Sequence, residues 1–501
     1  MIAVQSRNPD EFLLLPFEPA LLVTDETDGC LQTASHYTPR KLSLPHTAAQ
    51  IDFDGDCLSD FFITVTDITS GKTYFEIYLR REKEQSMGSD EEVSLNDTNG
   101  QFKGLNSLCL VTRQEVPVQA NNIFSFADID RDAMVDMMFV NKKDLKLHVY
   151  YNKLQNQQVL MQQKGSTTQS QTTAFGLKKL CSATNRPVNK VKDIFSPFTP
   201  IIEERNVVSQ PISLDQNVAE VYADEFIPGR IYLGDITSDG FPDLLITLKY
   251  IDGTSRSHVL INEPCSTSES SVCTVKAQKA KRRQFNVDTN AYQSALDAFD
   301  KTKYATFFDL NENSMMDLLV VRTAEVSGRQ SAIVSSIYNN YGRDAFFLKT
   351  RMVSDGALGT TVNSASFRCV LTSLEDEKFM VMGGQSGQTA YQALQMPFSQ
   401  IGIGRSNNFI ESFTVSAYVN GSRSLRMWTP IIPKSVLFVV TQGSDEVETW
   451  KLDVLIKPSE KMIMIILVDA VFLLILGLVI IVLHLLEKSE DRREKQINVI
   501  F

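Results

Sequence analysis

The chain has 501 residues, of which 43% are hydrophobic and 22% charged, and its formal net charge is -11. That length exceeds what a single hydrophobic core serves, so two or three domains are expected. The acidic balance excludes nucleic acid as a partner, because phosphate binding needs clustered Lys and Arg, and neither a P-loop nor a dinucleotide glycine fingerprint occurs.

The front of the chain does not read as a secretory leader. Phe12–Phe17 and Ala20–Val23 are apolar, but Pro16, Glu18 and Pro19 divide them and no basic segment precedes them. Either the chain is processed or shortened at its front, or it is anchored by its tail with its bulk in the cytosol.

From residue 52 onward one short pattern occurs four times, each between two apolar runs. The copies are Asp52, Asp54, Asp56 and Asp60; Asp128, Asp130, Asp132 and Asp136; Asp235, Thr237, Asp239 and Asp243; and Asp309, Asn311, Asn313 and Asp317. In each copy, oxygen-bearing side chains fall at loop positions 1, 3, 5 and 9. A hard cation such as Ca²⁺ takes six to eight oxygens, which a tight loop supplies from alternate side chains and a carbonyl. An EF-hand would need a Glu at position 12, where Ile63, Phe139, Ile246 and Val320 stand instead. The flanks, such as Leu244–Leu248, are short apolar runs that suit buried strands. Each unit therefore reads strand, cation loop, strand. Asp and Asn also make plain tight turns, but fourfold recurrence at one spacing speaks against that alone.

Affinity should follow charge. Loop one has four carboxylates, and Gly55 is free to take positive φ. Loop two has four, with Arg131 at the position of Gly55, where a left-handed backbone costs about 1 kcal/mol or more. Loop three has three and Thr237; loop four has two with Asn311 and Asn313. A falling order from one to four is expected, with structural Ca²⁺ as the cofactor. Catalysis is not expected: His36, His46, His148 and His258 are scattered without metal-ligand spacing, and no Gly-x-Ser-x-Gly elbow occurs.

The loops begin further apart than the roughly 40–50 residues of the best-known propeller repeats, so insertions are expected between them. Residues 82–100 (acidic and Ser/Asn-rich) and the Gln/Ser/Thr tract 153–176 read as solvated loops, as does the basic run Lys276–Gln284. Strand units without amphipathic helices between them favour radial repetition, a β-propeller, over residues 1–343. Seven cysteines include no CxxC pair, so zinc is not expected. Cys265 and Cys273 suit a hairpin disulfide in an oxidising compartment; buried reduced thiols are the alternative. Asn96 and Asn420 stand in glycosylation acceptor triplets.

After Asp344 the loop pattern stops, and Phe379–Gly384, Ile410–Tyr418, Ser435–Thr441 and Glu448–Ile456 read as strands among Gly-rich turns. Residues 344–460 are expected to form a juxtamembrane β-sandwich. Met462–Leu486 is a nearly continuous apolar block, long enough at about 1.5 Å per residue to cross a core of roughly 30 Å. The membrane helix is placed at 461–486 and a tail at 487–501. Lys488, Arg492, Arg493 and Lys495 outnumber Lys457 and Lys461 on the other flank, which orients the tail toward the cytosol. Asp469 lies inside the span, where it either pairs with a basic group on a partner helix or reaches interfacial water.

Phe-Ala-Asp128 and Leu-Gly-Asp235 resemble the openings of FG-GAP repeats, the calcium-loop blades of integrin α-subunits. Asp344-Ala-Phe-Phe-Leu-Lys349, Ile401-Gly-Ile-Gly-Arg-Ser-Asn-Asn-Phe409, Trp428-Thr-Pro-Ile-Ile-Pro433 and Asp491-Arg-Arg-Glu-Lys495 resemble the T-cell immunomodulatory protein family, also called linkin. Together the likeness spans about residues 45–500. It implies a single-pass type I membrane glycoprotein of the plasma membrane or secretory pathway, with a propeller ectodomain that engages a protein ligand. It also implies roles in cell adhesion, modulation of T-cell behaviour in mammals, and association with RuvB-like ATPases and tubulin. The family carries a signal peptide and more propeller at its front, so the propeller here is expected to be N-terminally incomplete. A scaffold working through its cytosolic tail is the alternative, and a propeller-associated hydrolase a more distant one.

Overall fold

The computed structural model describes residues 40–80, 108–152 and 207–497 with internal breaks, and two short paired strands, β1 (Val4–Gln5) and β2 (Phe12–Leu13). Two compact units result, Met1–Val454 and Leu455–Phe501.

The first unit opens with four antiparallel sheets, each a meander in chain order. In the first, β3 (Arg40–Leu42) and β4 (Ala48–Ile51) share one edge of β5 (Asp60–Asp67), followed by β6 (Thr73–Arg80) and β7 (Leu108–Glu115). The second runs β8 (Ser125–Ala127), β9 (Asp136–Val140), β10 (Lys146–Tyr150) and β11 (Val207–Pro211). In the third, β12 (Val218–Val221) and β13 (Ile231–Gly234) share β14 (Asp243–Tyr250), then come β15 (Ser255–Pro264) and β16 (Arg283–Val287). A short helix, α1 (Ala291–Leu296), leads to the fourth: β17 (Thr302–Phe308), β18 (Asp317–Val326) and β19 (Arg329–Ile337).

The apolar runs have a simple cause. Side chains alternate along a strand, and here the central strands of the first three sheets, β5, β9 and β14, are buried on both faces. On β9, Met137 and Phe139 join a core with Phe62, Phe75 and Phe124 of the first sheet's side, whereas Met138 and Val140 join Ile231, Leu244 and Ile246 of the third. On β14, Leu244 and Ile246 face back toward the second sheet, while Leu245 faces forward to Phe307 and Leu318 of the fourth. Successive sheets are thus chained through a core between each pair.

The second region of this unit comprises β20 (Phe346–Ser354), β21 (Ser366–Thr372), β22 (Lys378–Gly384), β23 (Ser399–Gly404), β24 (Ser412–Val419), β25 (Ser422–Trp428), β26 (Ser435–Thr441) and β27 (Lys451–Leu455). One sheet is ordered β23-β20-β26-β27, with β20 and β26 parallel; the other is β22-β21-β24-β25, all antiparallel. Leu348, Met352 and Leu437 of the first meet Phe367, Phe413 and Val415 of the second in a shared core. The four strands expected here from sequence correspond to β22, β24, β26 and β27.

In the second unit, helix α2 (Glu460–Ile497) reaches a mean hydropathy of 3.3 in its most apolar part, and it is long and apolar enough to cross a membrane. Its side chains from Met464 to Leu486 are open to the surroundings, as a lipid-facing helix requires. The helix continues past residue 486 through Ile497.

Candidate metal centre

Each of the four loops links the inner strand of its sheet to the next strand, and all four fold alike. Positions 4 and 6 are left-handed in every copy: Gly55 (φ 77°) and Cys57 (68°), Arg131 (61°) and Ala133 (66°), Ser238 (56°) and Gly240 (93°), Glu312 (55°) and Ser314 (63°). Only two of these eight are glycines, so most copies accept a backbone cost of order 1 kcal/mol per residue.

Hydrogen bonds show what holds that geometry. The position 9 carboxylate accepts the N–H of position 2 in all loops, from Phe53 to Asp60 (2.8 Å), Ile129 to Asp136 (3.0 Å), Ile236 to Asp243 (3.1 Å) and Leu310 to Asp317 (2.9 Å). Its second oxygen accepts an N–H from the end of the third strand, donated by Arg80, Asn152, Asn262 and Asn339. The position 1 carboxylate accepts the N–H of position 6, at 2.9 Å for Cys57 to Asp52 and 2.8 Å for Gly240 to Asp235. Positions 1 and 9 are buried throughout, at 8% exposure or less.

Ligand oxygens of Asp52, Asp54 and Asp60 lie within 4.8 Å of one another, as do those of Asp128, Asp130 and Asp136. Two oxygens that share a Ca²⁺ at 2.3–2.6 Å are at most about 5 Å apart, so both sets fit one cation. Asp130 Oδ1, and likewise Asp309 Oδ1 of loop four, is buried with no hydrogen-bond partner. Asp56 and Asp132 turn back to the N–H groups of Leu58 (2.7 Å) and Met134 (2.9 Å). Loops three and four form no such carboxylate triad among the described residues. In loop three Thr237 Oγ1 donates to Asp235, and in loop four Asn311 and Asn313 are exposed.

Crowded, buried carboxylates resist ionisation. Burial pushes Asp128 up to about 8, with the neighbouring Asp130 adding to it, and Asp235 up to about 7. Burial likewise raises Asp52 to about 6, where Arg368 pulls it back down. Asp60, Asp136 and Asp243 are raised well above the usual carboxylate range for the same reason, reinforced by neighbouring aspartates. A bound divalent ion would reverse this penalty.

Sequence reasoning missed two devices. The first is an asparagine clasp between sheets. Asn152 Nδ2 donates to Phe53 O of the preceding loop (2.9 Å), Asn262 Nδ2 to Ile129 O (3.1 Å) and Asn339 Nδ2 to Ile236 O (3.2 Å). The signal was present as an Asn closing the third apolar run of units two to four. The second device is that strands from the C-terminal region reach the loop ends. Arg368, 2% exposed, pairs with Asp52 at 2.5 Å and donates to Gly55 O at 2.9 Å. Lys349 pairs with Asp309, Gln400 donates to Ser314 O (2.9 Å), and Arg131 donates to Ile403 O (3.2 Å) while lying 4.3 Å over the Phe379 ring. Nothing local in the sequence announces these partners.

The basic run is corrected in part. Arg283 is buried on β16, where it donates to Asn262 Oδ1 and O, both at 2.8 Å, and stacks 3.6 Å over Phe241; Arg282 pairs with Asp130 at 3.5 Å. Their charge serves the loops rather than solvent. Cys265 and Cys273 are disulfide-bonded, Cys57 in loop one is also in a disulfide, and Cys369 is a buried free thiol. Asn96, Asn420 and the tract 153–176 lie outside the described residues. Asp469 lies on α2, on a stretch exposed throughout.

A family model described as "ITFG1, C2 domain" matches residues 357–454. The human T-cell immunomodulatory protein is 26% identical over 482 residues, covering 92% of this chain and 66% of its own length. A T-cell immunomodulatory protein homolog of Plasmodium yoelii yoelii is 23% identical over 490 residues, covering 91% of this chain and 63% of itself. Protein linkin of Caenorhabditis elegans is 27% identical over 251 residues, covering 45% and 39%. No solved structure matches significantly. The chain spans just under two thirds of the length of the first two relatives. Similarity along nearly the whole chain to T-cell immunomodulatory proteins of several species, together with the matching C-terminal model, supports kinship with the T-cell immunomodulatory protein and linkin family.

Proposed function

We propose that this chain is a single-pass type I membrane protein whose ectodomain is held in shape by Ca²⁺ and binds another protein in cell adhesion or cell-surface signalling. The single observation behind this reading is the identical fold of four oxygen-rich loops in a chain that also carries a membrane-length helix. In this scheme residues 1–343 are an FG-GAP type β-propeller segment, 344–460 a β-sandwich, 461–486 the anchor and 487–501 the cytoplasmic side. Four consecutive meanders with cores between them favour the propeller, and two sheets around one core favour the sandwich, as does the C2 description of the matching model.

Calcium has a structural role in this proposal. Loop one takes it through Asp52, Asp54 and Asp60 and loop two through Asp128, Asp130 and Asp136, with loop three weaker. The role is non-enzymatic. His46 and His258 are buried, His258 bonds the Tyr250 hydroxyl at 2.7 Å, and His148 stacks on Phe139, so these imidazoles are engaged in packing. The protein ligand is assigned to the end of the sheets remote from the loops, because C-terminal strands cover the loop end. Turns there present Ile68 (59% exposed) and Ile251 (71%) at matching places. RuvB-like ATPases and tubulin would have to act through the segment beyond Leu486.

Surface biotinylation of intact cells followed by pull-down with and without EGTA tests this reading. Labelled protein and calcium-dependent recovery of a partner are expected. Labelling only after permeabilisation would overturn the topology.

A further inference from the structure

We propose that Lys349 is the resident cation of loop four, so that this loop fastens the C-terminal strands to the sheet array without divalent metal. The argument begins with charge. Loop one carries four carboxylates, and a divalent ion together with the buried guanidinium of Arg368 still leaves it one negative charge. At its ligand positions loop four carries two, Asp309 and Asp317, while Glu312 at position 4 is exposed. The ammonium of Lys349 already lies 2.5 Å from Asp309 Oδ2, with the two side chains 12% and 0% exposed. A divalent ion set between the buried Asp309 and Asp317 would bring, with Lys349, three positive charges against their two negative ones, which is unfavourable at low dielectric.

The surroundings fit a fixed lysine. Its ammonium sits 4.1 Å from the centre of the Phe398 ring, and Phe398 packs on Phe308, the residue just before the loop, at 5.9 Å. The neighbouring strand β23 is tied to position 6 of the same loop by Gln400 and Ser314 O. Positions 3 and 5 are exposed asparagines, which bring no charge that Lys349 leaves unbalanced. The position 1 oxygen that Lys349 meets is also the one that Arg368 meets in loop one. The two basic residues therefore occupy equivalent places, one beside a carboxylate triad and one without it.

The claim rests on the calcium reading only for its contrast with loop one, and one set of variants separates the two. In the full chain in detergent micelles, ⁴⁵Ca²⁺ equilibrium dialysis counts bound ions. Asp309→Asn and Asp317→Asn should leave the count unchanged, whereas Asp60→Asn should lower it by one. A count that falls by one in the loop-four variants overturns the proposal; an unchanged count in Asp60→Asn overturns the calcium reading instead. Thermal unfolding in EDTA then decides Lys349 without reference to metal. Lys349→Met should lower the Tm by about 5 °C or more, because it strands Asp309 in the interior. Adding Asp309→Asn should restore most of that loss. A Lys349→Met protein that melts like wild type in EDTA, or no recovery in the double variant, overturns the assignment.

Discussion

Asp128, Asp235 and Asp52 hold protons to about pH 8, 7 and 6 in the cation-free fold, whereas an unfolded aspartate releases its proton near 3.9. Between about pH 4 and 8 the native state therefore binds more protons than the unfolded chain, and its stability falls as pH rises. A bound divalent cation would act against this, since it would favour the ionised carboxylates. Scanning fluorimetry with EDTA should give a higher Tm at pH 5.5 than at pH 8, and millimolar calcium should raise the Tm far more at pH 8. Equal stabilisation at both values would contradict the assignment of these loops. The asparagine clasp makes a second expectation. Asn262 donates to Ile129 O and Pro242 O and accepts from Arg283 Nε, so Asn262→Ala strands three buried groups. A loss of about 2–4 kcal/mol is expected from the denaturation midpoint.

At the scale of elements, the loops were legible because alternate oxygen positions are a local pattern, and so was the αL need at Gly55. Position 6 was not foreseen, since Cys57, Ala133 and Ser314 carry no mark of left-handed backbone. The strands of the C-terminal region were readable from apolar runs, but their docking on the loops was not. Arg368 and Asp52 are 316 residues apart, and no periodicity connects them. Arg283 looked like part of a solvated basic run because composition cannot distinguish a guanidinium stacked on Phe241 from one in water. Backbone proximity yields a test here. A Cβ on Gly402 of β23 would meet Asp235 Oδ2 at 1.8 Å and Gly240 N at 2.7 Å. Gly402→Ala should cost on the order of 1–3 kcal/mol and weaken any cation uptake by loop three more than by loop one. Terbium luminescence on variants that retain a single loop would read that difference.

For the molecule as a whole, the helix was the plainest element to read, and its apolar surface is open along Met464–Leu486. Asp469 keeps its two readings, a pair with a partner helix or contact with interfacial water. Asp469→Leu followed by membrane crosslinking separates them. Lost recovery of a crosslinked partner is expected if it pairs, and unchanged recovery if it meets water. The family likeness seen in four short segments extends to relatives matched over more than nine tenths of this chain, so those segments were representative of the whole.

The seal that Arg368 places on loop one imposes an order on biosynthesis. When the Asp52 turn leaves the ribosome, the guanidinium that neutralises it is still 316 codons away, roughly 15–60 s of translation at 5–20 residues per second. During that interval dissolved ions or chaperones are the available counterparts for those aspartates. Loop one is thus closed only once β21, which carries Arg368 316 residues further on, has emerged.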